Sequence, residues 1–132
     1  VETEFRSRGA IHNCAPITHL YLHIPFCARI CPYCAFYKER ADPSQTQRFC
    51  EALLCEIEQR RASWPIAVET IFIGGGTPTA LTTAQLGYLL GGFRDRLDLS
   101  ALREWTVEAN PGSVSPRKAD LLRGLGVNRI SL

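Results

Sequence analysis

No methionine occurs among the 132 residues, and no apolar run approaches the ~18 residues that a membrane-spanning helix needs. The second absence, with no signal-peptide pattern, points the six cysteines to a reducing, soluble compartment, and the cytoplasm is the expected location. The first absence, with a start at Val1 and an end at Leu132 inside what reads as a strand, predicts a piece of a longer protein. One-sided charge is also missing. The net charge is +2 and the basic residues are scattered, which argues against nucleic acid as a partner. Nor does a Gly-Lys-Ser/Thr follow the glycine run at 74–76, so no phosphate-binding P-loop is present. The 45% hydrophobic content is ample for one small core.

What is present centres on Tyr21 to Tyr37, YLHIPFCARICPYCAFY, where Cys27, Cys31 and Cys34 form a C-x3-C-x2-C run after a β-branched and aromatic strand. Three thiols at the end of one rigid element are a metal-binding arrangement. A structural zinc ion closes its tetrahedron with four protein ligands, and His23 is the nearest candidate for the fourth. It shares a strand face with Tyr21 and Pro25, however, and no downstream Cys or His pair follows. A [4Fe–4S] cubane on three thiolates leaves one iron open to an outside ligand. A disulfide between Cys31 and Cys34 spans too short a loop for an ordinary framework bridge, and a redox C-x-x-C pair leaves Cys27 unexplained.

The chain in order predicts a mobile leader over 1–17, in which His12 and Cys14 are bystanders, and one domain over 18–132. A strand over Leu20 to Ile24 ends at Pro25. Asp42, Pro43 and Gln45 read as N-cap, N1 proline and capping-box partner of a helix reaching about Arg61, with an apolar stripe of Phe49, Cys50, Leu53, Leu54 and Ile57. Cys50 and Cys55 therefore read as helix-packing residues. Trp64-Pro65 ends the helix. A second strand, Glu69 to Ile73, runs into Gly74-Gly75-Gly76-Thr77-Pro78. Thr82 and Gln85 then form a capping box, with Leu81 and Leu86 as its staple, for a helix buried through Leu86, Leu89, Leu90, Phe93 and Leu97. A third strand, Glu104 to Glu108, ends at the turn Asn110-Pro111-Gly112. Ser115-Pro116 opens a third helix that Gly126 stops, and Arg129 to Leu132 starts a fourth strand. The β-α-β-α-β-α-β order means an α/β fold of about four parallel strands with three connecting helices, either doubly wound or part of a (β/α) barrel.

Four stretches in order, HIPFC with its C-x3-C-x2-C continuation, IFIGGGTPT, VEANPGSV and GVNRISL, resemble the radical S-adenosylmethionine (SAM) superfamily. Within it the resemblance is to the oxygen-independent coproporphyrinogen III oxidase-like proteins. It implies the first half of a partial (β/α)6 barrel, a [4Fe–4S] cluster on Cys27, Cys31 and Cys34, and SAM chelated to the open iron, where cleavage gives a 5′-deoxyadenosyl radical. It further implies SAM contacts from Tyr21, Tyr33, Gly75, Gly76, Thr77 and Glu108. On their own, the glycines make a tight strand-to-helix turn and Glu108 a solvated strand-end carboxylate.

Two markers separate the branches of that family. Coproporphyrinogen oxidases carry a fourth cysteine two residues after the third, where this chain has Phe36, and tend to Asp-Pro where it has Asn110-Pro111. Both resemble the haem-chaperone branch, HemW, which implies binding of haem and SAM and delivery of haem to acceptor proteins. Ala35 departs from that branch, which often has aspartate there. The alternatives are the oxidase reaction, oxidative decarboxylation of coproporphyrinogen III to protoporphyrinogen IX, and a radical reaction on another substrate. His12, His19 and His23 form no haem-ligand pattern.

Overall fold

The computed structural model describes residues 14–132. All but the end of the expected leader, His12 included, lies outside the described residues. Eight residues, Ile17–Ile24, form β1, which is followed by two short strands, β2 (Phe26–Cys27) and β3 (Glu39–Arg40). The chain continues through α1 (Pro43–Ser63), β4 (Ile66–Gly75), a 3-10 turn at Pro78–Ala80, α2 (Thr83–Arg96), β5 (Glu104–Glu108), α3 (Pro116–Leu125) and β6 (Arg129–Ser131). The main sheet has the order β1-β4-β5-β6 and every pair is parallel.

That order resolves the choice between the two α/β architectures. A doubly wound sheet reverses its direction of growth partway, whereas here each new strand is added on the same side, as in a barrel wall. Register confirms the consequence. Leu22, Ile73, Val107 and Ile130 lie in one row across the sheet, and Tyr21, Phe72, Thr106 and Arg129 in the adjacent row. Successive residues of a strand point to opposite faces. Leu22, Ile73 and Val107 join Leu54, Leu86, Leu89, Leu90, Phe93 and Leu122 of the helices in one core, which leaves the polar and aromatic row on the opposite face.

Local signals place the helix ends. Asp42 Oδ1 accepts from the N–H groups of Ser44 and Gln45 at 3.1 and 3.0 Å. Gln45 does not reciprocate: its amide donates to Glu39 Oε2 at 2.5 Å, because the cysteine loop returns there. The Thr82–Gln85 box is complete, and Gln85 does more. Its Oε1 accepts from Thr82 N–H, while its Nε2 donates to Pro43 O at 3.1 Å and Thr46 Oγ1 at 2.7 Å, joining the starts of α1 and α2. Gln85→Ala strands these partly buried groups and should destabilise the fold by about 1–3 kcal/mol, read by denaturant unfolding. Gly126, at φ 108°, ends α3. Cys50 is fully buried on the inner stripe of α1, but Cys55 is exposed, one residue past Leu54 and so rotated about 100° off that stripe. Its reading as a packing residue is corrected accordingly.

Two strand starts fall earlier than expected. β1 begins at Ile17 instead of Leu20, and β4 at Ile66 instead of Glu69, since Ile17 pairs with Ile66 across a register shift. The β2–β3 ladder is absent from the sequence reading. Two residues carry no periodicity.

Candidate functional site

Three of the four motifs lie at the C-terminal end of a main-sheet strand, the end at which α/β folds hold ligands, while GVNRISL runs from the end of α3 through β6. The cysteine loop leaves β1, the glycine run finishes β4, and Glu108 is the last residue of β5.

Backbone hydrogen bonds hold the first cysteine between two other segments. Gly76 N–H donates to Ile24 O at 2.7 Å and Thr77 N–H to Phe26 O at 2.8 Å, so the glycine turn runs beside β2. On the other side Glu39 N–H donates to Pro25 O at 2.7 Å and Ala41 N–H to Cys27 O at 3.0 Å, closing the base of the cysteine loop. Glu39 is fixed there by its side chain as well. Hydrogen bonds from Tyr37 and Gln45 lower its pKa from the ordinary carboxylate value. Cys27 is consequently buried, and its Sγ accepts from the Thr77 hydroxyl at 3.7 Å.

The glycines are needed where they stand. A Cβ on Gly76 would meet Phe26 O at 2.7 Å and Cys27 Sγ at 3.0 Å, and one on Gly75, whose φ is +113°, would meet the His23 ring at 2.7 Å. A Cβ on Gly74 would lie 2.7 Å from Glu108 Oε2. That same oxygen accepts from Gly75 N–H at 3.1 Å, so the acidic strand end and the glycine turn are one unit. Tyr21 lies on this face, stacked on Phe72 at 6.0 Å between ring centroids and hydrogen-bonded through its hydroxyl to His23 Nδ1 at 3.0 Å. Desolvation raises the Tyr21 pKa, and the Glu108 carboxylate adds to the rise. His23 Nδ1 is thus engaged with Tyr21, and among the described residues His23 is not gathered with the cysteines into a group that could hold a zinc ion.

Cys31 and Cys34 are less constrained. Cys34 N–H donates to Cys31 O at 3.2 Å in a tight turn, and Lys38 Nζ donates to the carbonyls of Cys34 and Phe36. Tyr33 is 87% exposed, and hydrogen bonding to the Cys31 thiol is the main cause raising its pKa. Among the described residues no three His, Cys, Asp or Glu side chains are gathered closely enough to hold a metal ion. The three thiols share one loop but do not meet at one point. The structure thus brings together Cys27, Gly75, Gly76, Thr77, Glu108 and Tyr21, and leaves Cys31, Tyr33 and Cys34 on the outer part of the loop.

The contacts made by three residues at the site, Asn110, Ser113 and Lys118, escaped sequence reasoning. Asn110 Nδ2 donates to Thr77 Oγ1 at 3.1 Å. Ser113 Oγ lies 2.6 Å from Thr79 Oγ1, and Lys118 Nζ donates to Thr79 O at 2.6 Å and Ser113 O at 3.2 Å. Burial lowers the Lys118 pKa. Asn-Pro-Gly-Ser signals a turn and a helix lysine signals solvent, so none of the three carried a sign of these contacts.

A singly wound parallel sheet with a cysteine loop, a glycine turn and an acidic strand end at one edge defines a cofactor-binding α/β wall. Comparison with known proteins places it: residues 21–132 match the radical SAM superfamily. The chain is 43% identical over 112 residues to the haem chaperone HemW of Lactococcus lactis, covering 85% of this chain and 29% of that protein. It is 40% identical over 118 residues to the oxygen-independent coproporphyrinogen III oxidase of Pseudomonas aeruginosa, covering 86% and 26%. The solved structure of coproporphyrinogen III oxidase (HemN) from Escherichia coli, described as a radical SAM enzyme, superposes with a TM-score of 0.76 at 32% identity, over 87% of this chain and 27% of that one. The chain belongs to the radical SAM superfamily, among relatives named for haem and porphyrin chemistry, and spans under a third of the length of those relatives. Membership implies SAM and a [4Fe–4S] cluster. Among the described residues no helix is long and apolar enough to cross a membrane.

The donor set fits such a cluster. All three loop cysteines are free thiols, the soft ligands iron–sulfur clusters take, and the missing Cβ of Gly76 keeps the space beside Cys27 Sγ open.

Proposed function

We propose that the chain is the cofactor-binding part of a HemW-like haem chaperone, a protein that binds haem and SAM and hands haem to acceptor proteins. Cys27, Cys31 and Cys34 would hold the cluster, and Gly75, Gly76, Thr77, Glu108, Tyr21 and Tyr33 the SAM. The observation that carries the cofactor reading is the joining of Cys27, the glycine turn and Glu108 through Thr77 Oγ1 to Sγ at 3.7 Å and Gly75 N–H to Oε2 at 3.1 Å. When bound, the cluster supplies an electron to SAM, and the protein's part is to hold and orient it. Cluster binding has to draw Cys31 and Cys34 toward Cys27, as metal binding commonly completes a local fold.

Phe36 and Asn110 support the chaperone branch, since the resemblance puts cysteine and aspartate there in the oxidases. Identity to the chaperone relative, 43% against 40%, leans the same way. The oxidase reading keeps its own support in the likeness to HemN. We infer further that residues 18–132 form part of a longer radical SAM core domain with 1–17 ahead of it, and the start of β1 at Ile17 supports a boundary close by. Thiolates holding a cluster need reducing surroundings, for which the cytoplasm is proposed.

The test uses the full-length protein, reconstituted anaerobically and offered haem or, separately, SAM with coproporphyrinogen III. Retention of haem with no conversion of coproporphyrinogen is the expected result. SAM-dependent formation of protoporphyrinogen IX would replace the chaperone by the oxidase.

A further inference from the structure

The Thr77 hydroxyl has one proton and two neighbours, Cys27 Sγ at 3.7 Å and the Asn110 side-chain amide at 3.1 Å. Thr77 and Cys27 are both buried, so water offers little competition for that proton. A cysteine that ligates iron is a thiolate and can only accept. Thr77 must then give its proton to sulfur and accept from its other neighbour. An asparagine amide can donate, and a carboxylate of the same shape cannot.

We propose that Asn110 is a positioning residue that aims the Thr77 hydroxyl at the Cys27 thiolate, and that this hydrogen bond raises the reduction potential of the cluster. The inference rests on the cluster reading above. Reduction adds one electron, increasing the negative charge on the ligating sulfurs, while the hydroxyl proton stays on Thr77. A donor aimed at Sγ stabilises the reduced form more than the oxidised one, the usual effect of hydrogen bonds to cluster sulfurs.

Asn110 is held for this role by its own turn and by α3. Its N–H donates to Ser113 Oγ at 3.1 Å, and its carbonyl accepts from Ser113 Oγ at 2.7 Å and from Ser113 N–H at 2.9 Å. The Ser113 proton is thereby used, so Thr79 donates across the 2.6 Å contact between the two hydroxyls. Lys118 ties the same two segments through the carbonyls of Thr79 and Ser113. The turn after β5 is in this way fastened to the turn after β4.

The experiment is a redox titration of the reconstituted full-length protein, without SAM, followed by the paramagnetic signal of the reduced cluster. Thr77→Val keeps the shape and removes the proton; it should lower the reduction equilibrium constant about tenfold, 59 mV for one electron. Thr77→Ser should restore the parent potential. Asn110→Leu should lower it by part of that amount, and should change nothing further in a Thr77→Val background because it acts through Thr77. An unchanged potential in Thr77→Val overturns the hydrogen bond, and an additive effect of Asn110→Leu in that background overturns the positioning role. If Thr77→Val fails to take up iron, an unchanged Asn110→Leu potential still overturns the proposal. Failure of the parent protein to load a cluster overturns the function reading along with it, whereas a loaded cluster with the wrong potentials overturns this inference alone.

Discussion

Cys27→Ala, Cys31→Ala and Cys34→Ala should each reduce the iron of the anaerobically reconstituted full-length protein from about four per chain, the content of a cubane, to near zero. Three thiolates are the fewest that secure three irons and leave the fourth for SAM, so no member of the set is spare. The outcome should not depend on how firmly each cysteine is held beforehand. Cys27 is buried in β2 between the glycine turn and β3, whereas Cys31 and Cys34 sit on the outer loop, yet in the proposed set each would supply one iron–sulfur bond. The internal control is Cys50→Ala. Cys50 is fully buried in the core on the inner stripe of α1, where burial pushes its thiol up to about 11, and it is not part of the cysteine loop; its replacement should leave the iron content unchanged. Iron analysis with visible absorption reads the result, and a cluster retained by any one loop variant removes that cysteine from the ligand set.

The second large effect is expected at Glu108. Its carboxylate accepts from Gly75 N–H and fills the space a side chain on Gly74 would take, so it both shapes the glycine turn and presents a negative charge beside it. Glu108→Ala should weaken SAM binding by about 10- to 100-fold, the size of a lost charge-assisted hydrogen bond, with iron content unchanged. Glu108→Gln keeps an acceptor oxygen but no charge and should fall between the two. Anaerobic equilibrium binding on protein of matched iron content measures this. Equal affinity in the parent and Glu108→Ala would make Glu108 an ordinary strand-end carboxylate.

Neighbouring positions explain how much of this was legible beforehand. At Asp42-Pro43, Thr82-x-x-Gln85 and Ser115-Pro116 the side chain and the backbone groups it satisfies are a few residues apart, so spacing alone located three helix starts. The stripe from Leu86 to Leu97 was equally plain, because a helix face is written at a period of 3.6 residues. The strand starts were not, since Ile17 becomes a strand residue only by meeting Ile66. Gln45 likewise has the right spacing for a capping box and gives its amide to Glu39 instead, a partner delivered by the return of the cysteine loop.

The amino-acid order by itself determined the thiol triplet, the glycine turn and the acidic strand end, together with an alternation of elements that had to make a parallel sheet, because each of these depends on residues close together in the chain. Only the tertiary structure decided that the sheet grows in one direction, that Cys27 is enclosed while Cys31 and Cys34 are not, and that Asn110 reaches Thr77. Those outcomes depend on which segments lie side by side after folding, and contacts across 33 residues or more leave no periodic trace in sequence.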